Sequence, residues 1–156
     1  MIGSISRRRF AEGLLATSAI ASTGLFPLPV MAAGDKLTVY KSPTCGCCQA
    51  WAQHMQRAGF ELEIVEIEDL APIKALLRVP QILEACHTAV VGGYVIEGHV
   101  PASDVERLLR ERPKAMGLAV PGMPIGSPGM EQDGRREPFE TILFSRQGLY
   151  VFAHHT

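Results

Sequence analysis

The stretch Leu37-Thr38-Val39-Tyr40-Lys41-Ser42-Pro43-Thr44-Cys45-Gly46-Cys47-Cys48, running on through QAWAQHMQRAGF (Gln49 to Phe60) into ELEIVEI (Glu61 to Ile67), decides how this chain folds. Leu37 to Tyr40 alternates and is β-branched, which predicts a short strand. Ser42-Pro43-Thr44 breaks it. From about Gly46 the apolar positions Trp51, Met55 and Ala58 step by four and three, so a helix is expected, ending at Gly59. Glu61 to Ile67 returns to a strand pattern. A strand, a cysteine-bearing turn, a helix and a second strand make a βαβ unit, with three cysteines where the first strand gives way to the helix.

Downstream, Leu70 to Leu77 reads as a short helix that tolerates Pro72 in its first turn. Pro80 to Ala85 reads as one further helical turn. Thr88 to Val91 and Tyr94 to Glu97 flank Gly92-Gly93, a strong signal for a two-residue hairpin. Ser103-Asp104-Val105-Glu106 has capping-box spacing and opens a helix that stops near Arg112, before Pro113. The element order β-α-β-α-β-β-α predicts an α/β, thioredoxin-like fold: a mixed sheet with flanking helices. In that fold the dithiol sits where Cys45 and Cys48 stand. Residues 113–138 are rich in glycine and proline and are expected to form an irregular loop carrying Met116, Met123 and Met130. Thr141 to Phe144 and Leu149 to Phe152 predict a terminal hairpin that extends the sheet.

The first 32 residues read differently. Ser6-Arg7-Arg8-Arg9-Phe10 is followed by a mildly apolar run to Leu28, prolines at 27 and 29, and the small residues Ala32-Ala33. This is the pattern of a cleavable export signal over residues 1–32, and the paired arginines give it a twin-arginine character. The expected mature domain, residues 35–156, is a single domain in the periplasm, with no stable membrane insertion once the signal is cut. The whole chain, 47% hydrophobic and 20% charged, has a formal net charge of −1, which becomes −3 when Arg7, Arg8, Arg9 and Glu12 leave. That balance gives no reason to expect nucleic acid as a partner.

Three cysteines within four residues exceed what a redox pair needs. A helix N-terminus favours thiolate, which serves both disulfide exchange and binding of soft metals. Zinc would take four ligands, but Cys47 and Cys48 diverge from adjacent Cα atoms, so both reaching one small ion is awkward. Cu(I) accepts two or three thiolates, and thiolates bridge several copper ions. Cys86 precedes the third strand, at the junction that lies beside the dithiol in a thioredoxin-like fold. His87 is a candidate ligand or proton carrier. Met116, Met123 and Met130 are weaker candidates, and they serve equally as packing for the loop. Met55, with Trp51, is expected in the core, His54 exposed, His99 structural, and His154 and His155 too mobile to bind alone. Thioredoxin-type oxidoreductases carry a proline just before the strand that here follows Cys86-His87, and its absence argues against general disulfide exchange. Two readings stay open beside copper: a thiol–disulfide oxidoreductase using Cys45 and Cys48 as catalytic residues, and a secreted domain stapled by two disulfides in one of three connectivities.

The blocks VYKSPTCGCC, LRVP, CHTAVVGGYVIEGHVPASDV and GLAVPGMPIGSPGM, in that order, resemble a bacterial family of small exported proteins labelled a domain of unknown function, to which the copper-resistance protein CopG belongs. The likeness spans roughly Leu37 to Phe152. It implies a thioredoxin-like domain that binds copper through Cys45, Cys47, Cys48 and Cys86, and the softness of four thiolates makes Cu(I) the expected form. A role in copper tolerance alongside other copper-handling proteins of the periplasm is expected. The resemblance leaves open whether copper is stored, passed on or changed in oxidation state, and it is the two thiol pairs, able to give up electrons, that suggest a copper-linked redox activity.

Overall fold

The computed structural model describes residues 36–156, so the export signal expected over 1–32 lies outside the described residues. Strands β1 (Leu37–Lys41) and β2 (Leu62–Glu66) are joined by helix α1 (Gly46–Arg57), and the short helix α2 (Ala71–Leu76) follows. A 3-10 turn at Gln81–Leu83 leads into β3 (His87–Val91) and β4 (Tyr94–Gly98), then helix α3 (Ala102–Glu111). Strands β5 (Gly117–Val120), β6 (Phe139–Ser145) and β7 (Gly148–His155) complete one seven-stranded mixed sheet in the order β2-β1-β3-β4-β5-β6-β7.

Strand β1 pairs parallel with β2 and antiparallel with β3, so the cysteine turn at its C-terminal end lies beside the start of β3. The β3–β4 hairpin turns at Gly92-Gly93, both at positive φ (55° and 84°), the backbone that a tight primed turn requires and glycine adopts freely. That turn pairs Val91 with Tyr94 and Thr88 with Glu97, and so carries His87 and Cys86 past Gly98 and His99.

Alternation along the strands makes two apolar layers. Leu37 and Val39 of β1, Ala89 and Val91 of β3, Ile96 of β4, and Leu118 and Val120 of β5 pack with Trp51 and Met55 of α1 and Val105 and Leu108 of α3. The intervening residues Val95, Ala119 and Phe144 pack on the opposite face with Val79 and Leu83. Helix α1 buries Cys48, Trp51, Ala52 and Met55, one stripe at helical spacing. Each such large side chain contributes roughly 1.5–3 kcal/mol on burial. The Trp51 indole also donates to the Val100 carbonyl at 2.8 Å, which ties α1 to the segment following β4.

Four expectations are corrected. The 113–138 segment is not loop throughout: Gly117-Leu118-Ala119-Val120 is a fully buried strand, parallel to β4 and antiparallel to β6. Its backbone partners come from two remote strands, so the glycine and proline around it conceal it. The terminal hairpin is longer than its apolar core. His154 and His155 belong to β7, and His155 Nε2 lies 3.0 Å from both Asp104 Oδ2 and Thr141 Oγ1 while its ring stacks on Phe139. His54 is half-buried rather than exposed, because its Nε2 accepts the Ala102 amide at the start of α3. His99, read as structural, enters the site described next.

Candidate metal centre

Cys45 is the N-cap residue of α1, and its sulfur accepts the Cys48 amide at 3.4 Å. In this structure Cys45 and Cys48 are joined as a disulfide, and Cys47 and Cys86 are free. The free pair is not remote. Cys47 Sγ lies 3.5 Å from Cys45 Sγ and 3.8 Å from Cys86 Sγ. Cys48 Sγ, with no proton to donate, rests 3.6 Å from the Cys86 carbonyl oxygen. All four sulfurs thus fall in one group whose ligand atoms lie within 4.8 Å of one another.

A second group shares Cys86. His87 Nδ1 is 3.3 Å and His99 Nε2 is 3.1 Å from its sulfur, and these three residues also satisfy the spacing of an ion's donors. The His99 tautomer follows from its other nitrogen: Nδ1–H donates to the Pro128 carbonyl at 2.8 Å, leaving the Nε2 lone pair turned to Cys86. A carbonyl behind a histidine in this way is how metal-ligating imidazoles are oriented. His87 is fully buried between Trp51, at 4.4 Å between ring centroids, and His99, at 5.1 Å. Its Nε2 is buried without a hydrogen-bond partner.

The electrostatics follow from burial. The Cys86 thiol is pushed up to about 12, first by burial and then by the neighbouring Cys47, with Lys74 opposing. The bare thiol is therefore protonated at neutral pH, and a bound cation would displace that proton. His87 is held well below the usual histidine range by burial, then by His99 and Lys74. Burial also lowers His99, against the Pro128 carbonyl and Glu131. Both imidazoles are neutral at pH 7, the form that ligates.

Beneath the group lies a buried ion pair. Lys74 Nζ contacts Glu97 and donates to Thr88 Oγ1 at 2.9 Å. Glu97 accepts the Ala85 amide and the Thr88 hydroxyl, both at 2.6 Å. One carboxylate thus holds the residues on either side of Cys86-His87. Burial raises the Glu97 pKa, with Lys74 countering it.

The loop after β5 closes the site from the other side. Gly129, at φ +85°, sits so near α1 that a Cβ would meet Trp51 N at 2.7 Å and the Cys47 carbonyl at 2.8 Å. Pro128, next to it, holds His99. Met130 is half-buried, and its amide donates to Ser127 in the same turn. Met123 is 52% exposed, and Met116 packs on the Phe144 layer of the sheet. His99 was undervalued in the sequence although a signal was present. A two-residue turn at Gly92-Gly93 sets the register of the hairpin, and continuing that register places position 99 opposite Cys86.

Residues 83–130 match the model of a family described as a protein of unknown function, DUF411. Two solved structures of copper resistance protein CopG are similar over nearly their whole length. One, form 2, is 39% identical and covers 78% of this chain and 98% of its own, with a TM-score of 0.74. The other, form 1, is 40% identical and covers 77% and 96%, with a TM-score of 0.73. No curated protein matches. Placed beside one another, the cysteine group, the strand order and these likenesses show that the chain belongs to the DUF411 family, together with the copper resistance protein CopG.

Proposed function

We propose that this chain is a periplasmic copper-binding protein of copper tolerance, holding Cu(I) through the thiolates of Cys45, Cys47, Cys48 and Cys86. The observation that carries the reading is the convergence of four sulfurs and two neutral imidazoles on one place, with Cys86 common to both groups. Thiolate donors favour soft ions such as Cu(I) over hard, oxygen-seeking cations, and imidazole also suits copper. A shared thiolate is the arrangement in which one sulfur bridges two ions, so a small cluster suits the donor set. The Cys45–Cys48 disulfide must be reduced before all four sulfurs are available. Strand order β2-β1-β3-β4, with the cysteines at the N-terminus of α1, supports a thioredoxin-like core extended by β5 to β7. The segment 1–32 would deliver the chain by a twin-arginine-type route. No helix among the described residues is long and apolar enough to cross a membrane.

Anaerobic titration of the reduced protein with Cu(I), followed by desalting and metal analysis, tests this reading. At least one copper per chain is expected to be retained, with retention lost when all four cysteines become serine. Equal copper in the two proteins would end it.

The disulfide at a helix N-terminus favours a second reading, a thiol–disulfide oxidoreductase using Cys45 and Cys48. Cys86-His87, where that class carries a proline, weighs against it. Turnover of a model disulfide that survives Cys47→Ser and Cys86→Ser would favour it.

A further inference from the structure

Neither reading uses Cys47 and Cys86 as a redox pair, yet their sulfurs are 3.8 Å apart, and Cys47 also touches the disulfide at Cys45, 3.5 Å away. A thiol in contact with a disulfide on one side and another thiol on the other is within the contact distance from which exchange starts. We propose that the four sulfurs form an internal exchange relay, through which the disulfide passes between Cys45–Cys48 and Cys47–Cys86 by way of Cys47.

The chemistry balances without an outside oxidant. Cys47, as thiolate, attacks Cys45 Sγ; the Cys45–Cys48 bond breaks, and Cys48 leaves as thiolate and takes up the proton that Cys47 released. Cys86 then passes its proton to the His99 Nε2 lone pair, 3.1 Å away, and as thiolate attacks Cys47 Sγ in the Cys45–Cys47 disulfide; a Cys47–Cys86 bond forms, and Cys45 leaves as thiolate and takes that proton back from His99. One disulfide and two thiols are present before and after, and two electrons have moved from one sulfur pair to the other. Cys45 and Cys47 are separated only by Gly46, the first residue of α1, and a Cβ there would meet nothing within 4 Å, so the chain between the two sulfurs is not packed against the core.

The relay explains the third cysteine of the C-x-C-C turn. A singly oxidised chain retains one free sulfur pair in either isomer. One isomer offers Cys47 and Cys86 beside His87 and His99; the other offers Cys45 and Cys48 at the start of α1. Its use in presenting alternative soft ligands rests on the copper reading above, but the exchange itself needs no metal.

Tryptic cleavage separates the partners, because Cys45, Cys47 and Cys48 fall in the peptide 42–57 and Cys86 in the peptide 79–107. Protein carrying one disulfide and two thiols is incubated metal-free near neutral pH, quenched in acid, alkylated, digested and mapped by mass spectrometry. The expected result is a disulfide-linked pair of these two peptides, joined at Cys47 and Cys86, that grows to a plateau and is lost in Cys47→Ser. Cys47 is only half-buried, and the variant's circular dichroism checks that it folds. Absence of the linked pair in the parent protein, or its persistence at the parent level in Cys47→Ser, would overturn the relay. Copper retention by the fully reduced chain is read separately. Its loss with the linked pair intact would sink the copper reading alone, and its survival without the linked pair would sink the relay alone.

Discussion

His87 illustrates how much one side chain carries. It fills the space between Trp51, His99 and Cys86, and its Nε2 has no partner. Its folded pKa lies well below 6.5, so the unfolded chain binds a proton there that the folded chain refuses. Stability from His87 is therefore complete above the unfolded pKa and is lost as pH falls below about 6.5 toward the folded value. His99 and His54 are lowered too and act in the same direction. Glu97, raised, acts oppositely: its contribution is complete at low pH and fades as pH rises through its folded value. The thermal midpoint of the metal-free protein is expected to drop between about pH 7 and about pH 5, and to drop less in His87→Gln, with scanning calorimetry as the measurement. Equal slopes in the two proteins would show that the imidazole is not held neutral by its surroundings.

The site is shared among elements that the β1–β3 and β3–β4 pairings bring together and that the loop after β5 closes over. Helix α1 brings Cys45, Cys47 and Cys48, the β3–β4 hairpin brings Cys86, His87 and His99, and the segment after β5 brings the Pro128 carbonyl that orients His99. Gly129 is the point at which that segment meets α1, at positive φ and with no space for a Cβ. Gly129→Ala is expected to cost about 1–3 kcal/mol, from the strained backbone and the collision with Trp51 N and the Cys47 carbonyl. Urea denaturation measures the cost. A smaller effect, within about 0.5 kcal/mol, is what a loosely attached surface loop would give.

On the scale of the whole molecule, the proposed ligands stand on parts of the chain separated by 41 residues from Cys45 to Cys86. An ion that binds them all stabilises the folded chain over the unfolded one, by roughly 2.7 kcal/mol at a free concentration one hundred times the dissociation constant. The reduced protein is expected to melt at a higher temperature with Cu(I) under anaerobic conditions. The Cys45–Cys48 disulfide form should gain less, because two of its four sulfurs are engaged. Differential scanning fluorimetry on both forms checks this, and equal shifts would place the ion away from the cysteine group.

The sequence by itself determined what depends on near neighbours. The alternation of β1, the apolar stripe of α1, the Gly92-Gly93 turn and the C-x-C-C spacing are local, so they were legible, and the hairpin register even held the meeting of Cys86 and His99. The tertiary structure alone decided the rest. β5 exists because β4 and β6 satisfy its backbone on either side. The Gly/Pro segment is ordered because Gly129 fits against α1, and Lys74 is buried because Glu97 and Thr88 await it. Ladder partners, close backbone approach and compensation of a buried charge come from residues far away in the chain, and no local pattern encodes them.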